Sequence, residues 1–385
     1  MARGIRATQV LALLGVLAVA ACGGSDVKIA STPVPTIAGS TGSFDDIAID
    51  QAGHRLFVAD RSDQGIDVFD ITTTHPRYVQ TIPMPADPNG LAIAPDVHRL
   101  FVGTASGSVV IADIDITSPQ LDDVIVTVPT GGTVADLMDY SADRQRLYVS
   151  NGADGTVTSI DTVTGQVKAH FNVGYPVAQP RYDSADGMVY VTSRDADALV
   201  RINPDDGTLW QTSLGGCRPS GLAINPTSDL ALIACKSSVM RLDLRRGSSA
   251  TVSDVSGGDV VSYDARVDRF FVASPRASQS GIVSIFGGDP IAYVTSVVTD
   301  VRGQSAAYDE TNAIVYTPDG RPGKAGIASF KLPPTPPAWL TPLIIVGSFA
   351  LLFLVVAPLI YLVGRSADPV RRRERVPRTA PEVAP

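Results

Sequence analysis

The chain has 385 residues, 44% of them hydrophobic, and 39 Asp and Glu outnumber 31 Lys and Arg to leave a formal net charge of −8. Arg3 and Arg6 contribute +2 and the tail from Arg365 contributes +3, so the body between them carries −13. An acidic body excludes nucleic acid as a partner, because phosphate binding needs a basic face, and the apolar content is ample for a core.

Residues 1–21 have the pattern of an export signal. Arg3 and Arg6 form the charged start, and residues 10–21 form an apolar run too short to span a bilayer. The run ends Val19-Ala20-Ala21-Cys22, followed by Gly23-Gly24-Ser25. Small residues before a cysteine at this place resemble a bacterial lipobox, which implies thioether lipidation of Cys22 and cleavage before it. The alternative is an ordinary signal peptide with an incidental cysteine. Residues 22–33 are mostly small and polar and form a tether.

Residues 34–332 are a repeat. One strand recurs at 55–60 (RLFVAD), 99–104 (RLFVGT), 146–151 (RLYVSN), 188–193 (MVYVTS), 230–235 (LALIAC), 269–274 (RFFVAS) and 313–318 (AIVYTP). The starts lie 44, 47, 42, 42, 39 and 44 residues apart, giving seven copies. An apolar strand precedes each copy, at 46–50, 90–94, 136–140, 181–183, 221–225, 260–264 and 305–309. A β-branched strand follows each, and a fourth closes most. Turns such as Asn151-Gly152-Ala153-Asp154-Gly155 separate them. Four strands in about 40–45 residues is the period of a propeller blade, and one such sheet cannot bury both faces alone. The fold class is therefore all-β, a seven-bladed β-propeller. The seventh copy stops after three strands. Residues 34–37 (Val-Pro-Thr-Ile) supply the missing outer strand and close the ring, because an open edge invites pairing.

The strand Leu147-Tyr148-Val149-Ser150-Asn151, the following Gly155-Thr156-Val157-Thr158-Ser159-Ile160-Asp161 and the closing Asn172-Val173-Gly174 resemble the YVTN-type β-propeller repeat. The resemblance covers about residues 40–332, strongest in copies one to four. It implies an extracytoplasmic or cell-surface protein of bacteria or archaea that binds or scaffolds more often than it catalyses. Its motif residues are structural, so no functional site carries over.

Residues 333–337 (Pro-Pro-Thr-Pro-Pro) form a stiff spacer. Residues 338–364 are expected to form one C-terminal transmembrane α-helix, because they carry no charge and exceed the ~20 apolar residues that span a membrane, with Trp339 and Tyr361 at interfacial positions. Residues 365–385 form a disordered tail whose Arg371-Arg372-Arg373 and Arg375 favour the cytoplasmic side. Both ends give one topology: cell membrane, propeller outside, tail inside. A rival reading of the end as a sortase sorting signal, from Leu332-Pro333-Pro334-Thr335, lacks the expected glycine at Pro336. In blade topology the borrowed strand starts and the seventh copy ends on one face, the bottom, so the bottom faces the bilayer and the top points outward.

Among top loops, copies one to three carry acids (Asp60, Asp63, Asp87, Asp136, Asp154). Copies four to seven carry Arg194, Arg218, Lys236, Arg276, Arg302, Arg321 and Lys324. Such a basic sector can focus an anionic ligand, or be ordinary solvated loop charge. Cys217 and Cys235 flank two antiparallel strands and predict a disulfide, the alternative being two buried thiols. His54 and His98 occupy equivalent turns, so they are structural by repetition. Asp45, Asp46, Asp136 and Asp259 start inner strands and could hold Ca²⁺. No cofactor is expected; Asp205-Asp206-Gly207-Thr208-Leu209-Trp210 occurs once, too few times for a quinone-cofactor propeller. No zinc spacing, phosphate loop or nucleophile elbow appears. The expected function is non-catalytic binding of a protein, peptide or envelope ligand. The alternatives are a metal-dependent lactonase- or lyase-like enzyme using channel carboxylates, and an envelope sensor signalling through the helix.

Overall fold

The recurring strand is apolar on both faces, which suits a strand walled on each side by a neighbouring sheet. In the computed structural model, which describes residues 27–35, 39–253, 255, 258–275, 281–299 and 303–334, these strands are buried almost throughout. Strand β1 (Ala30–Pro33) comes first. Blade 1 is β2 (Phe44–Asp50), β3 (Arg55–Asp60), β4 (Gly65–Asp70) and β5 (Arg77–Pro83). Blade 2 is β6 (Pro88–Ala94), β7 (Arg99–Thr104), β8 (Ser108–Asp113) and β9 (Val124–Pro129). Blade 3 is β10 (Met138–Ser141), β11 (Arg146–Asn151), β12 (Thr156–Asp161) and β13 (Val167–Asn172). Blade 4 is β14 (Pro180–Asp183), β15 (Met188–Ser193), β16 (Ala198–Ile202) and β17 (Leu209–Ser213). Blade 5 is β18 (Leu222–Asn225), β19 (Leu230–Ala234), β20 (Val239–Asp243) and β21 (Ser249–Ser253). Blade 6 is β22 (Val261–Asp264), β23 (Arg269–Ser274), β24 (Ile282–Gly287) and β25 (Tyr293–Val298). Blade 7 is β26 (Ala307–Asp309), β27 (Ile314–Asp319) and β28 (Gly326–Lys331), completed by β1.

Each blade is an antiparallel sheet in chain order. The core lies between blades rather than within one. Phe57, Ile66 and Val68 of blade 1 pack on Leu91, Leu100 and Val110 of blade 2. A cluster of this kind fills the seam between every pair of neighbours, including blade 7 against blade 1. Each fully buried Leu, Ile, Val or Phe contributes about 1.5–3 kcal/mol.

The turn between the first two strands of a blade ends on a left-handed residue in all seven. These are His54 (φ 52°), His98 (52°), Gln145 (50°), Gly187 (72°), Asp229 (55°), Asp268 (50°) and Ala313 (57°). Both histidines therefore sit at a conformational position filled by five residue types in the seven blades, and the backbone, not imidazole chemistry, accounts for the repeat.

The closing strand is not the one expected. It is Ala30–Pro33, inside the stretch expected to be a tether, and not residues 34–37. Ala30 faces Ser329 and Pro33 faces Gly326 across the ladder. Val34 N donates the next bond to Ala325 O (2.7 Å), and its side chain is buried in the blade 7–blade 1 seam. Pro35 has no N–H to continue the pairing, so the ladder ends there. Residues 36–38 lie outside the described residues. Because β1 begins beside the end of β28, the chain enters and leaves blade 7 at the same end of the sheet. We call that end the bottom and the opposite one, where each innermost strand begins, the top.

Candidate binding surface at the channel mouth

The innermost strands leave one backbone edge unpaired along the axis. Side chains from other blades cap parts of these edges. Asp46 accepts from Ile47 N (2.9 Å) and from Leu91 N of blade 2 (3.0 Å). At the same level of blade 4, Gln179 Oε1 accepts from Leu222 N of blade 5 (2.7 Å) and Val261 N of blade 6 (3.1 Å), and Nε2 donates to Val261 O (3.0 Å). Blades 2 and 5 have glycine at this level. A Cβ on Gly90 would come within 2.5 Å of Asp136 O, and one on Gly221 would collide with Asp259 O. Below, Asp139 accepts from Tyr182 N (2.7 Å), and Arg181 donates to Met138 O (3.2 Å) and, across the axis, to Val261 O (3.1 Å).

Around these side chains is a cavity of about 470 Å³, lined by Ala48, Ala92, Asp139, Arg181, Tyr182 and Tyr263 among others. Its charged groups are already engaged in bonds between blades. The axis is thus crossed by hydrogen bonds between polar residues of different blades.

The top mouth is different. Arg61 donates to Asp45 Oδ2 (2.7 Å) and to Asn89 Oδ1 (2.7 Å), and Asn89 passes the chain on to Ala135 O (2.9 Å). Burial pushes the Asp45 carboxyl up to about 7 against the opposing pull of Arg61, and the carboxylates of Asp136, Asp46 and Asp259 add to the rise. Burial also raises Asp46, to about 6, although two backbone N–H groups hold it down. Asp136 and Asp259 are raised by burial too, with Arg61 opposing both and Arg194 also opposing the rise at Asp259. Carboxyls from blades 1, 3 and 6 and guanidiniums from blades 1 and 4 therefore share one mouth. Among the described residues no group of three or more His, Cys, Asp or Glu is arranged to hold a metal ion.

The expected basic sector is only partly assembled. Arg194, Arg218 and Lys236 are exposed on the top loops of blades 4 and 5. Arg321 is held by Asp319, with Nε at 2.9 Å from Oδ1 and Nη2 at 2.6 Å from Oδ2. Arg276, Arg302 and Cys22 lie outside the described residues. Cys217 and Cys235 are joined as a disulfide, with Cα atoms 4.8 Å apart. The bond ties the loop before β18 to the end of β19, and so sets the spacing of Arg218 and Lys236, each the next residue along. On the acidic side Asp87 and Asp154 are exposed, but Asp60 is fully buried. Arg61, Asn89, Gln179 and Arg181 were not singled out from the sequence. They carry no motif, and only the ring brings them together.

No family model and no curated protein matches the chain. Among solved structures, a chain in a crystal structure of the mitotic checkpoint complex superposes with a TM-score of 0.63 at 12% identity, covering 79% of this chain and 91% of that one. At that identity the likeness carries the fold alone.

Proposed function

We propose that this β-propeller is an extracytoplasmic, membrane-anchored binding protein of the YVTN-repeat kind, with no chemistry of its own. Its top face takes an acidic protein, peptide or envelope polymer. One observation carries the reading: the channel spends its charged side chains on bonds between blades, while Arg194, Arg218 and Lys236 stand exposed together on the top loops of blades 4 and 5. Three basic residues on rigid loops of an acidic body focus an anionic surface and exclude a cationic one.

Anchoring rests on the lipobox-like Cys22, the uncharged stretch 338–364 and the arginines beyond it, all outside the described residues. The adjacent entry and exit of the chain at blade 7 are compatible with two anchors on the bottom face and a top face turned outward. Chemical cross-linking in intact membranes, followed by mass spectrometry, tests the reading. One dominant partner linked through Lys236 or Lys324 supports it, and the absence of any partner removes it in favour of a small ligand.

A second reading, a metal-dependent enzyme of the lactonase or lyase type, draws on the mouth carboxyls. Asp45, poised at about 7 beside Asp136 and Asp259, has the protonation range of a general acid–base group. Calcium or magnesium binding that Asp45→Asn abolishes would favour it over scaffolding.

A further inference from the structure

The strongest unassigned feature is a pair of buried acids in blade 1. Asp60 ends β3 and Asp67 is the third residue of β4, and both are fully buried. Asp60 uses one oxygen, Oδ1, to accept from Ser62 N (2.7 Å). Asp67 uses one oxygen, Oδ1, to accept from Thr81 Oγ1 (2.6 Å), whose hydroxyl also meets Tyr78 OH (2.8 Å). The other oxygen of each, Oδ2, is buried with no other hydrogen-bond partner. Neither acid forms an ion pair among the described residues. Two bare carboxylates in that position would each carry a full desolvation penalty.

The repeat shows how close the two side chains are. In the ladder of blade 1, Val58 faces Asp67 and Asp60 faces Gly65; in blade 3, Val149 faces Thr158 and Asn151 faces Thr156. Asn151 and Thr158 therefore stand where Asp60 and Asp67 do, and there Asn151 Nδ2 donates to Thr158 Oγ1 at 3.0 Å. The fourth strand follows suit: Thr158 meets His170 Nδ1 (3.1 Å) where Asp67 meets Thr81. Blade 6 puts Ser284, Ser296 and Tyr293 at the places of Asp67, Thr81 and Tyr78. This is a direct side-chain hydrogen-bond position, with a donor required.

We propose that Asp60 and Asp67 share a single proton, and that this carboxyl–carboxylate pair is a pH-sensitive clasp on the seam where blade 7 closes on blade 1. Residues alternate across a strand, so Asp67 lies on the face of Phe69 and Asp60 on that of Leu56 and Val58. Those three pack against Ile314, Tyr316, Ala325 and Ile327 of blade 7. The charged groups around the pair do not replace the proton. Arg61 on its turn is given to Asp45 and Asn89, and Asp63 beside it is another acid. Arg55 and Asp70 close the far ends of β3 and β4 against Asp122 and Arg77. β5 brings Tyr78 and Thr81. Across the seam Asp319 is held by Arg321, Lys324 follows on the exposed loop, and Lys331 ends β28 at the opposite, bottom end.

Burial, and the neighbouring acid itself, hold the proton on Asp67 well above the usual carboxylate range. The folded ring therefore binds a proton that the unfolded chain releases near the ordinary Asp range, and its stabilisation is present at low pH and lost as pH rises and the pair loses its proton to solvent. The ring is tightest in a mildly acidic medium.

The test is the thermal midpoint of the full chain in detergent, at pH 5 and at pH 9, for the wild type, Asp60→Asn, and the double variant Asp60→Asn with Asp67→Thr, which copies the blade 3 pair. The wild-type midpoint should fall by several degrees more between the two pH values than that of either variant. The double variant keeps the test open if the single one does not fold. Equal slopes in all three overturn the proposal. So does calcium or sodium raising the wild-type midpoint and not the variants', which would assign the site to a cation instead of a proton.

Discussion

Breaking the Cys217–Cys235 disulfide should loosen the blade that carries the exposed basic residues. The two cysteines are 18 residues apart, and the bond closes the β18–β19 hairpin at its top. Chain entropy for a loop of that size corresponds to about 3 kcal/mol. Both cysteines are buried, in a cluster with Leu214, Leu222 and Ile233, so reductant meets the bond only when this edge opens. Lys236 N donates to Cys217 O (2.9 Å), a backbone bond that survives reduction and keeps the hairpin registered. The expected outcome is a folded but weaker ring, its thermal midpoint down by about 5 °C. Arg218 and Lys236 would lose their fixed spacing, so affinity for an anionic partner should fall with it. Calorimetry with and without reductant measures the first effect, and thiol titration confirms that two thiols appear. An unchanged midpoint after complete reduction would refute the reasoning, as would free Cys217 and Cys235 in protein isolated without reductant.

Gln179→Ala leaves the N–H groups of Leu222 and Val261 without partners on the channel axis, while Val261 O keeps Arg181, and should cost about 2–6 kcal/mol, read from the denaturant midpoint. With its carboxyl raised to about 7, Asp45 contributes stability that is fully present below the ordinary Asp range and lost as pH rises through about 7. Asp45→Asn should remove that part of the decline between pH 5 and pH 8, and a decline unchanged in a series of melts would count against the assignment. Cys22→Ser should abolish incorporation of a labelled fatty acid while the protein stays in the membrane pellet through residues 338–364. Release into the soluble fraction would show that the lipid alone holds it.

The blade pattern was legible because the second strand of each blade is enclosed on both faces and has to repeat its apolar run. The turns were legible for a related reason: residues of five types share one left-handed conformation at seven equivalent positions, and His54 and His98 stood out only by chance of type. Closure was legible as a need but four residues out in position. Val34 and Ile37 look like strand residues, yet Pro35 ends the ladder and Val34 serves as a core plug. The axis was not legible at all. Gln179 and Arg181 cap backbone groups 80 residues or more away, on blades whose proximity exists only in the closed ring. Asp60 illustrates the same limit from the other side. Its place beside a polar turn suggested an exposed acid, but strand pairing turns it into the seam against Asp67. Asp319, two residues before Arg321, is the sequence signal for the ion pair that holds that arginine.

The most direct test of the account is labelling of intact cells with a membrane-impermeant maleimide, using single-cysteine probes at the top and the bottom of the ring. Asp87→Cys serves the top and Val163→Cys the bottom, both at exposed positions. The account predicts that Asp87→Cys is labelled in intact cells and that Val163→Cys, facing the bilayer, is labelled far more slowly. Labelling of neither position until the cells are lysed would place the propeller inside and contradict it.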